Sequence, residues 1–138
     1  MFFKKKKTSD NEENFSKIAA LLIHAAKIDE NFSQSEENIV KETIFQLGAK
    51  KEQVKNILEK AKKIENNANQ ILDFTKEVKN LNNEDKIKIV EALWKIIYSN
   101  KEADIYETSL MRRLAGLLYI DSKTMGDIKE KVKTEISE

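Results

Sequence analysis

The stretch IKIVEALWKII, residues 87–97, distributes Ile87, Ile89, Val90, Ala92, Leu93, Trp94, Ile96 and Ile97 around most of a helical circumference. A helix that is apolar on nearly every side must be packed on several sides, so this segment is expected to be the central helix of a bundle. The remaining composition agrees. The chain has 138 residues, no proline and only three glycines, which removes most strong helix breakers. Its length is enough for one core closed without a disulfide or a structural metal. An all-α, single-domain bundle of about seven helices follows, with residues 1–10 as a flexible basic tail and 11–138 as the helical domain.

On either side of the central segment, apolar residues recur at helical spacing. Positions 18, 21, 22, 25 and 28 give a first helix from about Asp10 to Asp29. Ser33 and Glu36 have the spacing of a capping box, and Ile39, Val40, Ile44 and Leu47 line a second helix that stops before Gly48. Val54, Ile57, Leu58 and Ala61 define a third, and Ile71, Phe74, Val78 and Leu81 a fourth. After the central helix, Asp104 with Glu107 opens a sixth carrying Leu110, Leu114, Leu117 and Leu118. Ser122 begins a seventh with Met125, Ile128 and Val132 inward.

An internal repeat appears at an offset of 71 residues. Leu22 falls on Leu93, Ala25 on Ile96, Asp29 on Asn100, Glu36 on Glu107 and Ile39 on Leu110; Leu47 then falls on Leu118 and Val54 on Met125. The repeated unit is helix, acidic loop, helix, turn, helix. Polar loop positions fall into register as well as apolar ones, which periodicity alone does not require.

The acidic loops hold the candidate site: Asp29, Glu36, Asn100, Asp104 and Glu107. Asp29 and Asn100 continue the core-facing stripes of their helices, and a carboxylate drawn toward the interior must be hydrogen-bonded, paired or metal-bound. Two readings stand side by side. Ser33 with Glu36, and Asp104 with Glu107, fit helix caps worth about 1 kcal/mol each. The same oxygen ligands suit a hard divalent cation, Ca, Mg or Mn. An EF-hand is excluded because Gln34 stands where its turn glycine belongs and Val40 where its bidentate Glu belongs.

Other chemistries find little support. His24 is the sole histidine and has Leu21 three residues before it, which excludes a di-iron bundle; it reads as a partly buried, hydrogen-bonded side chain. Without cysteine, thiolate sites are excluded, and neither a hydrolytic triad nor a glycine-rich phosphate loop is present. No enzymatic activity is expected. Charged residues make up 36% of the chain but sum to +1, so no nucleic-acid partner is expected, and Lys50-Lys51, Lys60-Lys62-Lys63 and Arg112-Arg113 read as solvated faces. Residues 8–13 are polar where the apolar core of a signal peptide would lie, and no run reaches the roughly 18 apolar residues of a span. A cytoplasmic location is the default, with the basic tail as the one place for weak membrane-surface contact. Trp94 and Tyr98 read as core anchors, while Tyr98, Tyr106 and Tyr119 are candidates for edging a protein-partner groove.

The two loops, followed by Ile39-Val40 and by Leu110-Met111-Arg112-Arg113-Leu114-Ala115, resemble the TerB family of tellurite-resistance proteins over about residues 15–134. That family shares its fold with the N-terminal domain of DjlA-type DnaJ co-chaperones. Its pattern is Ala-Asp-Gly, a hydrophobic residue two positions on, then Asp, then Glu three later, once per half. The first copy here keeps Asp29, Phe32 and Glu36, with Glu30 for Gly and Ser33 for Asp; the second keeps Asp104 and Glu107, with Asn100 for Asp and Lys101 for Gly. The resemblance implies a seven-helix bundle with the loops close together, a divalent-cation patch at the acidic positions, and a role in metal or oxyanion stress. The alternative it admits is a protein-interaction module of co-chaperone type, with the acidic residues serving as helix caps.

Overall fold

The computed structural model describes the backbone of residues 2–27, 33–67, 72–98 and 105–137, and side chains over 13–27, 33–67, 75–76, 78–98 and 109–135. Seven helices make up the described residues: α1 (Phe2–Ala26), α2 (Gln34–Gln46), α3 (Lys51–Asn67), α4 (Leu72–Lys79), α5 (Asn83–Ile97), α6 (Ile105–Leu117) and α7 (Ser122–Ser137). No strand occurs among them.

Two helices, rather than one, form the centre. In α5, Ile89, Val90, Ala92, Leu93, Trp94, Ile96 and Ile97 are buried, as the sequence predicts, but Ile87 at the outer end is exposed. In α1 the whole run Ile18, Ala19, Ala20, Leu21, Leu22 and Ile23 is buried, together with Ala25 and Ala26. The apolar stripe expected for this helix is therefore only part of its buried surface. Its alanines let neighbouring helices approach closely on the remaining sides, and α1 packs against α2, α3, α4 and α5. α5 packs against α1, α2 and α7. Residues 18–26 and 89–97 are related by the 71-residue offset, so the two central helices are the two copies of one element.

The first helix also begins at Phe2, well before the expected start near Asp10. The stretch 2–10, expected as a flexible tail, thus continues α1. With no glycine or proline before Gly48, extending an anchored helix adds one hydrogen bond per residue and avoids the cost of a new nucleus. Elsewhere the expected inner faces hold: Val54, Ile57, Leu58 and Ala61 of α3 are buried, as are Val78 of α4, Leu110 and Leu114 of α6, and Met125, Ile128 and Val132 of α7. Ile71 and the Phe74 side chain lie outside the described residues.

The repeat is visible in the way α2 and α6 end. After α2, the N–H of Gly48 donates to Phe45 O at 3.1 Å and that of Ala49 to Ile44 O at 3.1 Å. After α6, the N–H of Tyr119 donates to Gly116 O at 3.4 Å and that of Ile120 to Ala115 O at 2.9 Å. Both are Schellman caps, which need a residue of positive φ just beyond the helix. Gly48 has φ 117° and Tyr119 φ 57°. Glycine meets this requirement without strain, whereas an L side chain in the left-handed region costs about 1–2 kcal/mol.

The second turn has its own support. Lys86, at the offset position of Phe15, is buried and donates from Nζ to Leu118 O at 3.0 Å, giving a partner to a carbonyl at the end of α6. Its Nζ also lies 5.8 Å from the Tyr119 ring centroid, and Lys79 Nζ lies 5.9 Å from it. In the first unit an aromatic side chain, Phe15, is next to the glycine turn, with Cζ 3.9 Å from where a Gly48 Cβ would be. In the second unit the aromatic ring is on the turn itself and the central helix supplies the ammonium.

Two outcomes are expected. Gly48→Ala should destabilise the protein by about 1–2 kcal/mol in urea unfolding, since the backbone conformation rather than steric room penalises it. Tyr119→Gly should change stability by less than about 1 kcal/mol, because relief of backbone strain offsets the lost lysine-ring contacts and the greater freedom of the unfolded chain. Between α2 and α3, Lys62 Nζ lies 3.0 Å from Glu37 Oε1 and holds the Glu37 carboxyl below its ordinary value of 4.5. A lowered carboxyl contributes stability that is present above the ordinary value and lost as pH falls through the lowered one. Lys62→Gln should therefore make the stability curve shallower below about pH 4.5, measured by thermal unfolding across the acid range.

Candidate functional site

Of the five acidic-loop candidates, Glu36 is the one whose side chain is described. It lies in the first turn of α2 and is 2% exposed. Ser33, with φ −78° and ψ 165°, is the N-cap. The Glu36 N–H donates to Ser33 Oγ at 3.1 Å, while Ser33 N–H at 2.8 Å and Ser33 Oγ–H at 3.0 Å both donate to Glu36 Oε1. The reciprocal capping box expected from Ser33 and Glu36 is thus complete. Among the described residues no lysine or arginine lies within ion-pair distance of Glu36, and both described hydrogen bonds to its carboxylate end on Oε1. Burial explains why the carboxylate accepts two donors: in a low-dielectric setting an unpartnered charge costs several kcal/mol, on the order of a whole domain's margin.

Asp29, Asn100 and Asp104 lie outside the described residues, as does the side chain of Glu107. The backbone of α6 begins at Ile105, so Glu107 falls in its first turn, the place Glu36 has in α2. Among the described residues no group of three His, Asp or Glu side chains is close enough to hold a metal ion. His24 sits at the rim of α1, its side chain 35% exposed, with Nδ1 3.4 Å from Glu65 Oε1. Lys27 joins the same carboxylate at 2.9 Å and accounts, with Asn66, for the tie between the ends of α1 and α3. His24 is therefore the partly buried, partnered residue that the sequence suggests.

Two concavities, not anticipated from the sequence, occupy equivalent places in the two repeats. The first, about 730 Å³, runs between α2 and α3, with Phe45, Val54 and Leu58 as its apolar part and Lys41, Lys62 and Glu59 among its charged lining. Phe45 is 56% exposed. The second, about 220 Å³, lies among α5, α6 and α7. At the 71-residue offset Lys41 corresponds to Arg112, Val54 to Met125 and Leu58 to Lys129, all of which line it.

Trp94 makes the difference between them. It replaces Ile23 of the first repeat, is 4% exposed and stacks on Tyr98 with ring centroids 5.9 Å apart and planes 26° apart. Burial against this ring, and the charge of Glu130, push the Tyr98 phenol above its ordinary value. The core-anchor reading of both aromatics holds, so Tyr98 does not edge an open groove; Tyr119 is 73% exposed, and the Tyr106 side chain lies outside the described residues. The Trp94 Nε1–H is buried without a hydrogen-bond acceptor among the described residues. A buried donor left unsatisfied costs about 1–3 kcal/mol. The one sequence signal for this pocket was Gly126, a helix-weakening residue within the otherwise regular α7 pattern.

Among the described residues no helix is long and apolar enough to cross a membrane. No curated protein and no solved structure matches the chain. The family model for tellurite resistance protein TerB matches residues 15–130, which takes in the described helices from within α1 into α7 and both acidic loops. With most of its length matched and the all-helical architecture in place, the chain belongs to the TerB family.

Proposed function

We propose that this chain is a non-enzymatic, cytoplasmic binding module of the tellurite-resistance family that takes a divalent cation, Ca, Mg or Mn, between its two acidic loops. The ligand set is drawn from Asp29, Glu36, Asn100, Asp104 and Glu107. The observation that carries the reading is Glu36: a carboxylate 2% exposed, following directly on the first loop, with no basic side chain in ion-pair range among the described residues. A cation shared with the second loop would supply the missing positive charge, and carboxylate oxygens suit a hard ion. The positive end of the α2 dipole opposes a cation at this place, so the loops must provide several oxygens to offset it.

A second reading is favoured by the completed capping box. If Glu36 serves the helix alone, the module acts through a protein partner, in the manner of the co-chaperone domain of the same fold, and the exposed Phe45 marks a contact face.

Calorimetric titration with the three cations separates these readings. Saturable heat that disappears in the double variant Asp29→Asn, Glu107→Gln, with helical content unchanged, is the expected result; absence of heat at about millimolar cation, the weak end for such sites, would leave Glu36 as a cap. Ser33→Ala removes the cap but no carboxylate. It should lower stability by about 1 kcal/mol and leave the heat of cation binding in place.

A further inference from the structure

The pocket among α5, α6 and α7 differs from its counterpart in the first repeat in three ways that bear on what it can hold. Among the described residues its lining contains Arg112 and Lys129 and no carboxylate, whereas Glu37, Glu42 and Glu59 all line the first. Part of its wall is Trp94, a side chain 4% exposed whose indole N–H is buried with no acceptor among the described residues. Finally, Gly126 lines it from within α7, and a Cβ added there would meet no atom within 4 Å.

The glycine is informative because nothing nearby demands it. A glycine in a helix interior is usually explained by close approach of another chain segment or by a positive φ. Gly126 has neither, so what the missing side chain provides is open volume. That volume is about 220 Å³, bounded by the apolar atoms of Met111, Met125 and Trp94, and suits a compact body of roughly ten non-hydrogen atoms, below the size of drug-like ligands.

The charges indicate what the body carries. Lys129 Nζ lies 5.5 Å from the Trp94 ring centroid, held over the indole face. Together with Arg112 it makes the lining cationic. Asp121 lies just ahead of α7, but its Oδ1 accepts from the Thr124 N–H at 2.7 Å as the helix cap. That carboxylate is therefore engaged as the helix cap, and Arg112 and Lys129 are the charged side chains that remain to hold an anion.

We propose that this pocket binds a small organic carboxylate with an apolar body. The body packs against Met111, Met125 and the indole, and the negative charge is held by Arg112 and Lys129. None of the described residues that line it belongs to the five acidic-loop candidates, and the proposal does not depend on a bound cation.

Trp94 is the only tryptophan in the chain, so its fluorescence, excited at the red edge where tyrosine does not absorb, reports on the pocket directly. The intact protein is titrated with hexanoate, with hexanamide as a neutral analogue and with inorganic phosphate as an anion lacking the apolar body. Hexanoate should give a saturable change with a Kd on the order of 1 mM, the range open to so small a ligand, and the other two should give none. The double variant Arg112→Gln, Lys129→Gln should weaken the response at least about tenfold, the scale of losing charge-assisted hydrogen bonds. Gly126→Leu should abolish it while raising or preserving the thermal midpoint, because leucine is the better helix former. The proposal is overturned by a flat hexanoate titration, by equal responses to hexanamide or phosphate, or by an unchanged response in a folded Gly126→Leu protein.

Discussion

The structure depends on the burial of two equivalent helical segments, residues 18–26 and 89–97, against each other and against the helices around them. Burying one leucine or isoleucine side chain contributes about 1.5–3 kcal/mol, and these segments supply Ile18, Leu21, Leu22, Ile23, Ile89, Leu93, Ile96 and Ile97, all at most 2% exposed. Among the described residues no other pair of elements buries apolar side chains on so many sides. The amphipathic helices have one inner face each, and they have to place it where α1 and α5 present a complementary surface.

From that pairing the two halves acquire the same local geometry with different chemistry. Each has a second helix that ends in a Schellman cap and turns into a third, because the connection is only a few residues long and the chain must reverse within it. At the equivalent turn positions the first half uses Gly48 with Phe15 beside it, and the second uses Tyr119 with Lys86 beside it. The backbone requirement is common to both, but the side chains that stabilise it are exchanged. The concavities show the same relation: a larger groove of mixed charge in the first half, and in the second a smaller one narrowed by Trp94 and lined by basic groups. A repeat that keeps its backbone while changing its linings can carry two binding functions on one core.

Glu36 shows how structural and functional roles converge on one side chain. Its carboxylate completes the cap of α2 through Ser33, a role that local spacing dictates, and it does so at 2% exposure. An acid at an exposed helix start would be held by the dipole and by water. Burial makes the same acid demanding of further partners, and the proposed cation site rests on that difference.

Much of the architecture was legible in the chain itself. Helical periodicity, the scarcity of breakers and the 71-residue offset specified the seven helices, the two units, the capping box of Ser33 with Glu36, and the inner faces of α3 and α7, because each depends on residues close together in sequence. The family resemblance was legible through the acidic loop positions and is matched over residues 15–130. Burial of α1 on nearly all sides, the extension of that helix to Phe2, and the exposure of Ile87 were decided by tertiary packing, since an alanine or an isoleucine does not state how many neighbours it will have. So were the contact of Lys86 with Leu118 O, the left-handed turn at Tyr119, and the burial of Trp94 beside a basic pocket. Those features join groups from different helices, and their energies depend on distances and desolvation that exist only once the helices are packed.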